Sequence, residues 1–340
     1  MEQILLECTG DGTLSLTATN LVTYATATIP HEGPVVSGAI LPKFLKAAMG
    51  IANSTGEPVI ELEMGAPDNE TNPNPEAPIV LRLGKWSIPA ARRPKNEYPM
   101  PPKSKGNPTG IDGKFFDALK HTLPFTSTDE TRYIITGIFL DPESELEGIR
   151  GHAVATDGRR ITASACEVPF EGILPKTAAA LIAGSDANSG TAHRSNDPDP
   201  IAVFDLTTPW GNLNITTKLL AGNYPHWPQV IPAGTPTGKR RWDTANLLAE
   251  IDPILILGEK ARLEITREGT NIKLDGSNTA GFTKTIQTDK EISCAMNLTF
   301  VKSLCALFRQ GAEVLHFPDQ QPLRVKQNGV THAVMPMRWP

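Results

Sequence analysis

The stretch His152-Ala153-Val154-Ala155-Thr156-Asp157, followed after a short polar interval by Ile161-Thr162-Ala163-Ser164-Ala165, reads as strand, tight turn, strand. Thr156-Asp157 is the pivot, because an Asx side chain can bond the backbone just beyond it and tolerates turn dihedrals. Two other stretches repeat the pattern. Leu14-Ser15-Leu16-Thr17-Ala18-Thr19-Asn20 precedes an alternating segment from Tyr24 to Ile29. Ile272-Lys273-Leu274-Asp275-Gly276-Ser277-Asn278 precedes Phe282-Thr283-Lys284-Thr285-Ile286. In every copy a small hydroxyl residue stands before Asn or Asp, and successive copies lie about one domain apart.

A helix follows each strand pair. Ile40-Leu41-Pro42-Lys43 opens the first and Ile173-Leu174-Pro175-Lys176 the second. Proline suits the first turn of a helix, where its missing N–H has no partner to lose. The third starts at Asn297, a residue suited to capping the helix that runs through Leu298, Val301 and Leu304. Pro/Gly-rich polar stretches at 100–108 and 231–239 read as inter-domain connections, each preceded by a Tyr-Pro phrase, Tyr98-Pro99 and Tyr224-Pro225. They divide the chain into domains over 1–102, 109–232 and 240–340. The Pro- and Asn-rich segment 68–78 reads as an excursion loop in the first.

The predicted helices are amphipathic, with lysines opposite the apolar side. Lys43 and Lys46 oppose Phe44, Leu45, Ala48 and Met49, and Lys114 and Lys120 oppose Phe115, Phe116 and Leu119. Lys176 opens the second repeat helix, while Lys302 and Arg309 flank Phe300, Val301, Leu304 and Phe308. A basic helix face is ordinarily a solvated face. Its recurrence is notable because the chain is acidic overall, with 32 basic against 37 acidic residues and a net charge of −5. That balance argues against a protein held on nucleic acid by phosphate neutralisation alone. It does not argue against one held there by topology.

With 340 residues, 39% hydrophobic and 20% charged, the chain is sized for two or three globular domains. No run of about 18 apolar residues predicts a membrane span, and the N-terminus lacks the signature of a signal peptide. The cysteines Cys8, Cys166, Cys294 and Cys305 are scattered without a C-x-x-C pair. No disulfide framework, metal site or cofactor is expected, and the chain reads as cytoplasmic.

Three landmarks carry a resemblance: Val154-Ala155-Thr156-Asp157-Gly158-Arg159-Arg160-Ile161, Gly222-Asn223-Tyr224-Pro225 with Val230-Ile231-Pro232, and Val334-Met335-Pro336-Met337-Arg338. Arg132-Tyr133-Ile134-Ile135-Thr136-Gly137-Ile138 adds to them. Together they resemble the bacterial DNA polymerase III beta subunit, the sliding clamp, in one order from Glu2 to Arg338. The resemblance implies an α+β fold of three tandem DNA-clamp domains of like topology. It also implies a homodimeric ring with helices lining a central channel and antiparallel sheets outside. This chain opens without the first strand and helix of the family pattern, and Gln229 stands where the family commonly has Arg.

The resemblance further implies a non-catalytic processivity factor for DNA replication. Its partners would be duplex DNA without sequence preference, a second copy of itself, the DNA polymerase III alpha subunit, the clamp loader and other proteins bearing a clamp-binding motif. That motif, roughly Gln-Leu-x-Leu-Phe, would enter a hydrophobic cleft between the second and third domains. Carried over by match, the cleft comprises Ile135, Thr156, Gly158, Arg159, Arg160, Ile161, Pro225, Val230, Val334, Met335, Pro336 and Met337. The DNA-facing set is Lys43, Lys46, Lys114, Lys120, Tyr133, Lys176 and Lys302. Read alone, Met335-Pro336-Met337 is simply the end of a core strand.

Two other functions compete. An enzyme built on His152 and Asp157, or on Glu143, Glu145 and Glu147, lacks a placed nucleophile and orienting group. No phosphate-binding glycine loop is present either. The alternative within the resemblance is a clamp paralogue that binds peptide motifs without encircling DNA.

Overall fold

The computed structural model describes all residues except 1–2, 10–11, 33–36, 57–58, 65–77, 197–198, 256–260, 267–268, 275–283, 287–293, 319–320 and 338–340. The expected loop over 68–77 and the third Ser277-Asn278 turn lie outside the described residues.

The described elements fall into a repeating group of one strand, one helix and three strands. The chain opens with three strands, β1 (Ile4–Thr9), β2 (Thr13–Thr19) and β3 (Thr23–Pro30). The first full group is β4 (Ser37–Ile40), α1 (Pro42–Thr55), β5 (Glu61–Met64), β6 (Ile79–Leu83) and β7 (Trp86–Ala90). Next come β8 (Thr109–Ile111), α2 (Gly113–Thr122), β9 (Ile138–Leu146), β10 (Ile149–Thr156) and β11 (Arg160–Ala165). The third group is β12 (Gly172–Leu174), α3 (Lys176–Ala183), β13 (Ser189–Ser195), β14 (Ile201–Thr208) and β15 (Gly211–Lys218). The fourth is β16 (Gly238–Trp242), α4 (Thr244–Leu255), β17 (Ala261–Thr266), β18 (Gly269–Leu274) and β19 (Lys284–Ile286). The last is β20 (Cys294–Asn297), α5 (Leu298–Leu307), β21 (Ala312–His316), β22 (Leu323–Gln327) and β23 (Val330–Val334).

These elements pack as two compact units, Met1–Asp112 with Gly184–Leu219, and Gly113–Ala183 with Leu220–Pro340. Each holds an eight-stranded antiparallel sheet. The orders are β4-β1-β2-β3-β15-β14-β13-β8 and β12-β9-β10-β11-β23-β22-β21-β16. At the middle of each sheet the last strands of two triplets meet. β3 pairs with β15 from Thr23↔Thr217 to Thr28↔Asn212, and β11 pairs with β23 from Arg160↔Val334 to Ser164↔Val330. The outer strand of each sheet is the leading strand of another group. Smaller sheets complete the units, β5-β6-β7 in the first and β19-β18-β17-β20 in the second.

Local chemistry explains these elements. β2 and β3 are rich in Thr, and hydroxyls meet across the ladder at Thr17–Thr26 (3.0 Å) and, on β15, at Thr23–Thr217 (2.8 Å). Pro42 starts α1, which ends at Gly56 in the left-handed conformation (φ +73°). Asn297 caps α5 as expected, its side chain accepting the Thr299 amide at 2.9 Å. α2 buries Phe115, Phe116, Ala118 and Leu119. α4 was not expected. Asp243 accepts the Asn246 amide at its start (3.1 Å), and Pro253 sits in its last turn.

Alternation places the cores. β6 turns Ile79, Leu81 and Leu83 inward to meet Leu6, Leu14 and Ile40 in the first unit. In the second, Val301, Leu304 and Cys305 of α5 pack on Val314, Val325 and Val334. Arg324 of β22 donates to the Pro232 carbonyl (2.7 Å) and pairs with Glu147 at the β9–β10 turn (3.1 Å), which also takes Lys326. The 231–237 connection is thereby fastened to the sheet.

Candidate functional site

The second unit contains a cavity of about 640 Å³, and its floor is the junction of β11 with β23. Beneath lies an apolar cluster of Val154, Ile161, Ala163, Trp227, Ile231 and Ala333, flanked by Phe139 and Tyr224. The Tyr224 ring stacks on Phe139 (4.8 Å, 12°), and burial raises the pKa of its hydroxyl. The walls come from the segment 131–135, the turn 156–160, the segment 223–230 and Met335.

The turn sets the geometry. The Thr156 hydroxyl donates to the Arg160 carbonyl (2.7 Å) and accepts the Gly158 amide (3.0 Å). Asp157 accepts the amides of Arg159 (2.9 Å) and Arg160 (3.1 Å) on one oxygen and Arg160 Nε (2.8 Å) on the other. Gly158 has φ +87°, and a Cβ there would lie 2.6 Å from Arg132 Nη1. Glycine therefore meets both a left-handed backbone and the close approach of Arg132. The Met335 amide donates to the Arg159 carbonyl (2.9 Å), which brings the residue after β23 to the cavity.

The first unit repeats the hydroxyl and amide bonds of this turn, without the arginine pair. The Thr19 hydroxyl donates to the Thr23 carbonyl (2.9 Å) and accepts the Leu21 amide (2.9 Å). Asn20 accepts the amides of Val22 (3.1 Å) and Thr23 (2.7 Å), and Leu21 holds φ +72°.

The site is electrostatically uneven. Arg132, Arg159 and Arg160 line it, and among the described residues no Asp or Glu does. Arg132 pairs with Asp129 (2.9 Å). The hydrogen bond from the Thr131 hydroxyl, followed by that from Arg132, holds the Asp129 carboxyl below its usual range. Arg160 pairs with Asp157 (2.8 Å), and its guanidinium lies between the rings of Phe125 (5.0 Å) and Phe300 (4.7 Å). Phe125 also meets His332, which is buried, bonded to Thr162 (2.8 Å) and pushed down to about 3 by burial, with Arg160 contributing.

One supporting residue stands outside the cavity. The Trp227 indole donates to Asp141 Oδ2 (2.7 Å), while Asp141 Oδ1 accepts the amides of Glu143 (3.0 Å) and Ser144 (2.9 Å). Burial pushes the Asp141 carboxyl up. The hydrogen bonds from Ser144, Trp227 and Glu143 outweigh it, so its pKa lies below the usual value. With its one polar group turned away, Trp227 offers the cavity only carbon.

Of the expected cleft residues, Ile135, Thr156, Gly158, Arg159, Arg160, Ile161, Pro225, Val230 and Met335 line this one cavity. Val334 does not, because alternation turns it into the core at 0% exposure. Pro336 and Met337 are outside the lining. Sequence reading left out Arg132, Trp227 and Ala333. Trp227 lies two residues past the Tyr224-Pro225 phrase, the one signal that could have pointed to it.

The lysines are distributed as their helices dictate. Lys43, Lys46, Lys114, Lys120 and Lys176 are exposed. Lys120 pairs with Asp117 (3.6 Å), whereas Lys302 is half-buried and pairs with Asp252 of α4 (2.8 Å). Tyr133, expected toward DNA, is 51% exposed and lines the cavity. Among the described residues no helix is long and apolar enough to cross a membrane, and no group of three His, Cys, Asp or Glu could hold a metal ion.

No protein-family model matches the chain. The beta sliding clamp of Synechococcus elongatus is 25% identical over an alignment of 248 residues that covers 65% of this chain. The match spans 63% of that relative's length. Among solved structures, the DNA polymerase sliding clamp of Caulobacter crescentus is similar over 99% of this chain and 91% of its own, at 18% identity and a TM-score of 0.77. The DNA polymerase III beta subunit of Thermotoga maritima is similar over 99% and 91%, at 16% identity and a TM-score of 0.78. The chain has the sliding-clamp fold.

Proposed function

We propose that this chain is a DNA sliding clamp, a non-catalytic ring of two copies that encloses duplex DNA and tethers the replicative polymerase to it. The single observation that carries the reading is the likeness to sliding clamps over 99% of the chain. On this reading the domains are 1–102, 109–232 and 240–340, and each draws on two of the repeated strand groups.

Strand pairing supports the dimer. The last strand of one triplet pairs with the last of another at β3–β15 and at β11–β23. By that rule two triplets are left over, and their last strands, β7 and β19, are sheet edges. β7 of one copy would take β19 of a second copy, and the reciprocal pairing would close the ring. The lysines of α1, α2 and α3 would then meet phosphates, which carry no sequence information and so permit sliding. Lys302, already paired with Asp252, would contribute less.

The cleft would hold a short apolar motif of the Gln-Leu-x-Leu-Phe kind. The DNA polymerase III alpha subunit, the clamp loader and other DNA enzymes would present it. An apolar cavity of this size with a few convergent polar groups suits such a ligand, and Met335 can adapt to several partners. The test is topological. Retention on closed circular DNA that is lost when the DNA is linearised would support the ring. Equal retention on both forms, or none on either, would overturn it. Light scattering should also give about twice the 36.7 kDa of one chain.

A further inference from the structure

Among the described residues, the cleft carries one cation more than it neutralises. Three arginines line it, and two are held by carboxylates outside the lining, Arg132 by Asp129 and Arg160 by Asp157. Arg159 is exposed and makes no ion pair among the described residues. Its backbone is nonetheless fixed on both sides. Asp157 accepts its amide (2.9 Å), and its carbonyl accepts the Met335 amide (2.9 Å). An exposed charge on a fixed backbone therefore stands at the cavity, where the other two arginines are already ion-paired. In the matching turn of the first unit, the equivalent position is Val22. The charge belongs to the turn that lines the cavity of about 640 Å³, in a chain whose net charge is −5.

Resting on the peptide-cleft reading above, we propose that Arg159 selects partner segments that carry an acidic residue beside the apolar run. Asp157 is already engaged, since one of its oxygens accepts two turn amides and the other accepts Arg160 Nε. Arg132 lies against Gly158 and is tied to Asp129, so it is committed as well. A rim charge acts chiefly on partner choice and association rate, and salt weakens it.

The experiment uses the full chain and three labelled peptides sharing a Gln-Leu-Ser-Leu-Phe core, flanked by Asp, Asn or Lys pairs. Fluorescence anisotropy at low salt should rank them Asp over Asn over Lys, with about two- to fivefold between neighbours, the range of an exposed ion pair. Arg159→Gln should collapse the ratio of Asp to Asn peptides toward one. Arg159→Glu should invert the order in favour of the Lys peptide, a gain that misfolding cannot produce. Tight binding of all three peptides with equal affinity to the unaltered chain would overturn the selection while leaving the cleft intact. Failure of every peptide to bind would overturn the cleft reading, and the inference with it.

Discussion

The turns at residues 19–23 and 156–160 share every backbone and hydroxyl bond, yet one carries Leu21 where the other carries Gly158. Both positions are left-handed, at φ +72° and +87°. Leucine strains such a backbone by about 1–2 kcal/mol and glycine does not. The first unit bears this strain to place a side chain in solvent, for Leu21 is 64% exposed. The second unit uses the absent side chain, since Arg132 occupies the space a Cβ would fill. One backbone device thus serves two ends, a plain hairpin in one unit and a cavity wall in the other. The sequence around the turn, rather than the turn itself, makes the difference.

The largest expected effect tests how deeply each Asx residue is embedded. Asp157→Ala should cost about 3 kcal/mol in urea denaturation, because it strands the half-buried Arg160 without its counter-charge. Asn20→Ala should cost about 1 kcal/mol, the scale of ordinary hydrogen bonds. Equal costs would erase the distinction between the turns. Next is acidification. Burial, with Arg160 contributing, pushes His332 down to about 3, and burial, with Arg240 contributing, pushes His316 down to about 4. In the unfolded chain both titrate near pH 6.5, so below that the unfolded state binds more protons. Stability of the second unit should therefore fall as pH drops from about 6.5 toward 3. Hydrogen exchange should show its amides loosening before those of the first unit, and simultaneous loosening would contradict this.

Exchanging the turn residues gives smaller effects. Gly158→Leu should lower motif-peptide affinity about tenfold, or about 1.4 kcal/mol, by displacing Arg132 from the cavity wall. Unchanged anisotropy titrations would show that Arg132 has no part in shaping the cleft. Leu21→Gly should raise stability by less than about 1 kcal/mol, since relief of strain is partly offset by the entropy of glycine in the unfolded chain. A lower urea midpoint would mean Leu21 has a folded-state contact that offsets its strain.

The sequence made the local features legible and hid the distant ones. Thr19-Asn20, Thr156-Asp157, Pro42 and Asn297 were readable because each acts within a few residues of itself. α4 escaped because Pro253 interrupts its pattern: a proline there lacks the N–H that would bond the carbonyl four residues back, so the sequence reads against a helix. The bond from Trp227 to Asp141 spans 86 residues and the contact of Arg132 with Gly158 spans two elements, so neither leaves a periodic signal. Val334 shares a landmark with cleft residues, but in a strand adjacent residues face opposite sides. Met335 and Ala333 reach the cavity and Val334 reaches the core.

The edge strand β7 contains Pro89, and a proline in a strand is tolerated with its nitrogen toward the open side. An incoming strand then finds one amide missing from the row it would bond. Such an edge is a poor template for indiscriminate strand addition, the route by which exposed sheets aggregate. An unpaired copy would thereby be guarded against its own stickiness, at the expense of one hydrogen bond in any strand pairing made at that edge.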